Sequence, residues 1–237
     1  MKEELVEHIT TSFFLNETLL ECQGLSSTIW ERHIHRSSGR ILKKKGDYLI
    51  KVGDRPKGVH FIKSGLISTN FIGKDGLIKT CNMTGTGCVI GEQFFFHEQP
   101  SLFEARIVED AELYYFENRV FLDLLKEDFN FNLFILKSLA GISRKLASQL
   151  QDISTRNTCE GISHILYSLA CYEIQKGITT NITIKMSHQD LANLLGTHRV
   201  TITKNIRYLK DQGIIDYTYD KIVIKDTEKL KNMFSGE

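Results

Sequence analysis

The residues best suited to chemistry lie between Met186 and Ile224, in MSHQDLANLLGTHRVTITKNIRYLKDQGIIDYTYDKIVI. Lys185, Arg199, Lys204, Arg207 and Lys210 outweigh Asp190 and Asp211 there, so the segment is basic although the whole chain carries a formal net charge of only +1. Arg199 has the donor geometry for one target in particular, because a guanidinium pairs in two-pronged fashion with O6 and N7 of guanine. Val200 beside it offers an apolar contact for a thymine methyl. Lys204, Arg207, His198, Thr201, Ser187 and Gln189 are residue types that hold phosphates and fix register on a duplex. His188 and Thr197 complete the set expected at such a surface.

These side chains need a frame, and the same segment supplies one. Ser187 with Asp190 three residues on predicts a capping box at the start of a short helix, whose apolar face is Leu191, Ala192 and Leu195. Gly196 stands where the chain must turn tightly, and the small Ala192 lets two helices cross closely. Thr197 is the expected cap of the second helix, whose inward positions Ile202, Ile206 and Leu209 are spaced four and three. That leaves His198, Arg199, Val200, Thr201, Thr203 and Lys204 outward near its start, the half of a helix that enters a major groove. A turn at Asp220 joins IIDYTY to KIVI as a small wing. Exposed Arg and Lys on an amphipathic helix are usually only a solvated face. The agreement of cap, turn, spacing and wing argues against that reading.

Upstream, from Asn118 to about Ser154, apolar residues recur at three and four. The stretch from Asp128 to Ile153 predicts one helix of about 25 residues, near 37 Å long. It carries two stripes. Phe129, Leu133, Leu136, Ala140, Ser143, Ala147 and Leu150 form one, and Ile135, Leu139, Ile142, Leu146 and Ile153 the other. The first, with its row of small residues, suits a seam with a second copy, and the second suits packing on the N-terminal domain. The alternative is one wide face buried in a monomer. The polar stretch STRNT marks a hinge, followed by an amphipathic helix with Ile162, Ile165, Leu166, Leu169 and Ala170 inward and an end near Gly177.

Gly39 to Phe116 has a different period. Short apolar stretches broken by Gly46, Gly53, Gly65, Gly76, Gly87 and Gly91 predict an antiparallel β-domain, with a two-residue hairpin turn at Asp75-Gly76. The fold class expected is therefore α+β: an N-terminal β-roll with flanking helices (1–127), a long dimerisation helix (128–154) and a C-terminal winged helix-turn-helix (155–237). A hydrophobic content of 41% is that of a globular chain, not a disordered one. No signal peptide or bilayer-spanning run is seen, so a cytoplasmic location without membrane contact is expected. Cys22, Cys81, Cys88, Cys159 and Cys171 are odd in number and widely spaced, which suits reduced thiols better than a disulfide framework.

In its order of roll glycines, the IGE at Ile90 to Glu92, the long helix and the string HQDLANLLGTHRVTITKNIRYLKDQGII, the chain resembles the CRP/FNR family of bacterial regulators over nearly its full length. A His and a Val beside the Arg position of the recognition helix are similar to the halorespiration-regulator branch. The resemblance implies a small effector bound between roll strands and long helix, here against Gly91, Glu92, Phe103, Glu104, Ala105 and Leu139. It further implies a homodimer seamed through Leu133, Leu136, Ala140, Ser143, Ala147 and Leu150, a palindromic double-stranded operator, and RNA polymerase as a partner.

Departures from the family narrow the effector. Cyclic-nucleotide members place an Arg-Ser pair about ten residues after the Gly-Glu turn, where this chain reads Phe103-Glu104-Ala105. A carboxylate beside a phosphate costs Coulomb energy, so cyclic AMP is disfavoured, and Arg106 is expected to point the other way. An iron-sulfur cluster needs neighbouring N-terminal cysteines, and Cys22 has none. Haem ligation or redox sensing by Cys81, Cys88, His60 or His97 is weaker than a core role for each, so no cofactor or metal is expected. Phe94, Phe95, Phe96, Phe103 and Tyr114 suit either an aromatic effector or ordinary packing. Two other classes fit less well: a cupin-like enzyme, for which His60, His97 and Glu92 make a poor metal set, and a ligand-free scaffold, against which the helix-turn-helix argues. No catalytic residue is assigned.

Overall fold

The glycine-punctuated stretches pair as antiparallel strands. In the computed structural model, which describes residues 29–175, 177–178, 180–218 and 220–235, these are β1 (Gly39–Lys43), β2 (Tyr48–Ile50), β3 (Gly58–Ile72), β4 (Ile78–Gly85), β5 (Val89–Ile90) and β6 (Glu104–Glu117). The sheet order is β1-β6-β3-β4, with β2 on β6 and β5 on β3. The long β3 and β6 form its spine, with Val59 opposite Phe116 and Ile67 opposite Ile107. Their register shifts around Ser64 and Leu66, where Gly65 has φ +101° and a Cβ would come within 2.6 Å of the Asp110 carbonyl. Only glycine fits that bulge.

The β3–β4 hairpin departs from the two-residue turn expected at Asp75-Gly76. Gly73 N–H donates to the Leu77 carbonyl (2.8 Å) and Gly76 N–H to that of Gly73 (3.0 Å), so the loop is Lys74, Asp75 and Gly76. Gly76 alone takes positive φ, as in a three-residue loop closed by a glycine bulge. The Asp75 carboxylate accepts from Leu77 N–H and stabilises that longer form.

Two compact units result. The first holds 29–72 and 81–144, the second 73–80 and 145–235. In the first, α1 (Glu92–His97), α2 (Asn118–Glu127) and the start of α3 (Phe129–Thr155) accompany the sheet. Asp128 separates α2 from α3: its backbone is extended, and its carboxylate accepts from Asn130 and Phe131 N–H as a helix cap. The core is aromatic. Trp30 stacks on Phe61 at 5.0 Å and meets Phe131 edge-on at 4.8 Å, with Phe116, Phe121, Phe134 and Ile135 also buried.

The face of α3 that packs on this core is therefore Phe131, Phe134, Ile135 and the partly buried Leu139. Leu146 and Ile153, expected to share that role, are exposed instead (47% and 63%). The stripe proposed as a seam also lies open, with Phe129, Leu136 and Leu150 each more than half exposed.

In the second unit α4 (Thr158–Gln175) begins at a joint only two residues long, Arg156 and Asn157, narrower than the STRNT hinge. Asn157 caps it: its side-chain oxygen accepts from Cys159 and Glu160 N–H, and the Glu160 carboxylate accepts from Asn157 N–H. The Asp152 carboxylate holds Arg156 and lies 3.4 Å from His164 Nδ1. Burial, with the Arg156 charge, drives His164 down to about 4, so the ring is neutral at ordinary pH. Then follow β7 (Thr183–Lys185), α5 (His188–Leu195), α6 (Arg199–Asp211), β8 (Ile215–Thr218), β9 (Lys221–Ile224) and α7 (Thr227–Ser235). Two of these elements were not anticipated: β7, which adds a third strand in the order β7-β9-β8, and α7, whose Phe234 ring lies 5.5 Å from Tyr167 of α4.

Cys81, Cys88, Cys159 and Cys171 form no disulfide among the described residues, while Cys22 and Tyr219 lie outside the described residues. Among the described residues no helix is long and apolar enough to cross a membrane.

Candidate nucleic-acid interface

Helix α5 starts as its sequence dictates. Ser187 Oγ accepts from Asp190 N–H, and the Asp190 carboxylate accepts from Ser187 N–H at 2.9 Å, a complete capping box. It stops at Gly196, whose φ of +64° lets Thr197 N–H reach back to the Ala192 carbonyl. That contact consumes Thr197, which does not cap α6 as expected. His198 takes the position, its carbonyl accepting from Thr201 and Ile202 N–H with no side-chain cap bond. Ser187→Ala removes the one side-chain cap of the frame and is expected to cost about 1 kcal/mol. Urea unfolding followed by circular dichroism measures it.

Ile202, Ile206 and Leu209 are fully buried, which fixes the roll of α6 and sets Arg199, Val200, Thr203 and Lys204 on the exposed side, Val200 at 80% exposure. Thr201 is half-buried. Arg199 and Lys204 make no ion pair among the described residues. Arg207 has a loose, exposed pair with Asp211 at 3.9 Å, while Lys210 is held by Asp216 at 2.6 Å and sits over the Tyr217 ring. An exposed pair is worth little, so Arg207 stays available to an anion. The basic edge is thus Arg199, Lys204 and Arg207, with Lys210 turned toward the wing.

Ser187, His188, Gln189 and Arg199 converge on one cleft of about 250 Å³, shared with Tyr217 and Thr218 of β8. The two wing residues were missed at the sequence level. His188 Nδ1 lies 3.0 Å from Thr203 Oγ, which itself donates to the Arg199 carbonyl. The His188 ring packs 5.2 Å from Tyr217. Gln189 is tied to Asn193 and Ser187 to Asp190, so Arg199 provides the cleft's unpaired positive charge.

The residues expected to meet an effector are all buried or half-buried in the first unit. Glu104 stands opposite Asn70 and Ala105 opposite Thr69, Phe103 packs on Phe94 at 5.4 Å, and Leu139 lies against the core. Gly91 is left-handed and close to the Gly58 carbonyl. Arg106 is exposed, stacked over Tyr48, with Nε donating to the Gly46 carbonyl, and does not stand in for a phosphate anchor. Of the aromatic residues, Phe94 is a core residue, Phe95 joins the core through Phe121 at 5.0 Å and Tyr114 donates to Glu112. That is packing. Among the described residues no three His, Cys, Asp or Glu side chains converge as a metal set.

Glu92 is the anomaly of the roll. It is 2% exposed, and burial pushes its carboxyl up to about 7. The folded state therefore holds a proton that the unfolded chain has released, so this group's contribution falls as pH rises between about 4.5 and 7. Glu92→Gln is expected to be more stable than the parent at pH 8, by on the order of 3 kcal/mol at most, and equal to it at pH 4. His60 and His164, both driven down to about 4 by burial, bend the parent curve the other way. The difference between the two proteins' melting curves against pH isolates Glu92.

A β-roll followed by a long helix and a capped, winged helix-turn-helix defines a transcription regulator. Residues 41–128 match the cyclic nucleotide-binding domain model and residues 144–233 the Crp-like helix-turn-helix domain model; the chain belongs to the CRP/FNR family. It is 23% identical to the anaerobic regulatory protein of Bacillus subtilis over 92% of each chain. Among solved structures it is similar to the c-di-GMP-responsive regulator CLP of Xanthomonas campestris (TM-score 0.71, 18% identity, 84% of this chain and 98% of that one). It is also similar to CprK in complex with OCPA (TM-score 0.68, 21% identity, 86% and 93%). At these identities the structural likeness establishes the fold.

Proposed function

We propose that the chain acts as a homodimer that reads a palindromic double-stranded operator through two copies of α6, under the control of a small effector held in the β-roll. The observation that carries this reading is the exposed start of α6, with Arg199 and Val200 presented on a frame whose cap, turn and buried face are all in place. Arg199 is the base-reading residue, Val200 its apolar neighbour, and Lys204, Thr201, His198 and Gln189 contact the backbone, which positions without specifying sequence. The second copy joins along the open stripe of α3, where Leu133, Leu136, Ala140, Ser143, Ala147 and Leu150 recur at three and four. RNA polymerase is the downstream partner, and the chain performs no catalytic step.

The relatives named for their ligands differ among themselves, c-di-GMP for one and OCPA for another, so no effector is carried over. Glu104, buried where cyclic-nucleotide members carry their anchor, supports a ligand without a phosphate at that point. Selection from a pool of duplexes randomised over 30 positions tests the DNA reading. Enrichment of an inverted repeat with half-sites about one DNA turn apart is expected; failure to retain any duplex at low salt sinks it. Native mass spectrometry of retained ligand, with a thermal-shift screen of aromatic acids, phenols and nucleotides, identifies the effector.

A further inference from the structure

We infer that DNA binding takes up a proton at His188, whose Nε2 then donates to a backbone phosphate seated in the cleft between α5, α6 and the wing. The inference rests on the reading of α6 as the DNA-entering helix and assigns that site a regulation by pH.

A chain of hydrogen bonds fixes which ring nitrogen carries the first proton. Thr203 Oγ has one proton and gives it to the Arg199 carbonyl at 3.0 Å. Its contact with His188 Nδ1, also at 3.0 Å, must therefore run the other way, with Nδ1–H donating to Oγ. In the neutral ring Nε2 is then a bare acceptor, on a residue that lines the cleft. A phosphate oxygen is an acceptor too, and two lone pairs facing each other repel. Protonation turns Nε2 into a second donor, and a charge-assisted one.

The surroundings make this switch responsive to the ligand. Burial and the Arg199 guanidinium of α6 both hold the free imidazole below its ordinary value. From β8, Tyr217 packs on the ring, with Lys210 over the far part of that wall and already balanced by Asp216. On its own helix, Asp190 is engaged by Ser187 through both N–H and hydroxyl. A phosphate in the cleft offsets the Arg199 charge and places an anion beside the ring, both of which favour imidazolium. His188 thus titrates higher in the complex than in the free protein, and by linkage the affinity gain is complete below the free value and lost as pH rises through the bound one.

Two measurements decide it, using a duplex selected from the random pool at fixed ionic strength. First, with 13Cε1-labelled histidine assigned through the backbone, the His188 titration is followed in the free and bound protein. A clear upward shift on binding is expected, and an unchanged midpoint overturns the inference. Second, the dissociation constant is measured from pH 8 to pH 5.5 for the parent and His188→Gln. The parent is expected to tighten about tenfold more than the variant, the equivalent of one pH unit in that group's midpoint; superimposable slopes overturn it. A parent chain that binds no duplex at any pH refutes the DNA assignment itself, whereas binding with a His188-independent slope leaves that assignment standing.

Discussion

Ala147→Glu is expected to turn the protein from a dimer into a monomer on a sizing column and to abolish retention of a palindromic duplex at concentrations where the parent chain saturates it. Ala147 is exposed on α3, toward the C-terminal end of the stripe that runs from Phe129 through Leu150. A glutamate there meets only water in the single chain, so circular dichroism stays that of the parent. Across a two-fold seam, the same substitution sets two carboxylates near one another in an apolar strip. Like charges so placed cost several kcal/mol, on the order of a thousandfold in the dimer dissociation constant. Loss of the dimer then removes the gain from holding two half-sites at once, which is far larger than any one contact. A variant that still elutes as a dimer moves the interface off this stripe.

The position of Leu146 and Ile153 bears on the same seam. The sequence assigns them to the face that packs on the roll, because periodicity shows that two stripes exist without showing where along a long helix the packing ends. Both are exposed. The aromatic start of α3, Phe131 and Phe134, binds the helix to the Trp30 cluster instead, so the open apolar surface beyond Ala140 is broader than one stripe. That widens the surface offered to a second copy and leaves Ala147 at its centre.

What was legible in the sequence is what local chemistry decides. Ser187 and Asp190 form their capping box in any helix that starts there, Gly196 is the residue for a left-handed turn, and Ile202, Ile206 and Leu209 share a face at any register. The glycines of the roll announce its turns in the same way. The losses lie where a contact that neither motif nor periodicity encodes decides the outcome. Thr197 looks like a cap until its N–H is seen closing α5 on Ala192, which pushes the start of α6 one residue along. The Asp75-Gly76 pair suits a two-residue turn until the Asp75 side chain takes Leu77 N–H and lengthens the loop. Tyr217 and Thr218 carry no motif, and only the folding of the wing against α5 brings them to His188. In the sequence Glu92 is part of a turn signature, and nothing in its neighbours announces a burial deep enough to move its carboxyl.

Arg199→Ala is expected to weaken binding to the selected operator by about 1 to 3 kcal/mol and to erase preference at one base pair of each half-site. The guanidinium stands at the first turn of α6 with no ion pair among the described residues, so truncation leaves no broken partner inside the protein and the loss is read on the DNA alone. Lys204→Ala, about one and a half turns further along α6, is expected to act differently. It weakens all duplexes evenly and lowers the slope of log affinity against log salt by about 1, as the loss of one phosphate contact does. Selection repeated with each variant separates the two roles: a relaxed position for Arg199→Ala, an unchanged consensus for Lys204→Ala. Identical footprints and consensus for both variants and the parent place the reading surface elsewhere than the start of α6. The contrast is diagnostic because both substitutions remove one positive charge from the same helix, and the pH series on His188 reports separately what Arg199→Ala does to the imidazole it faces.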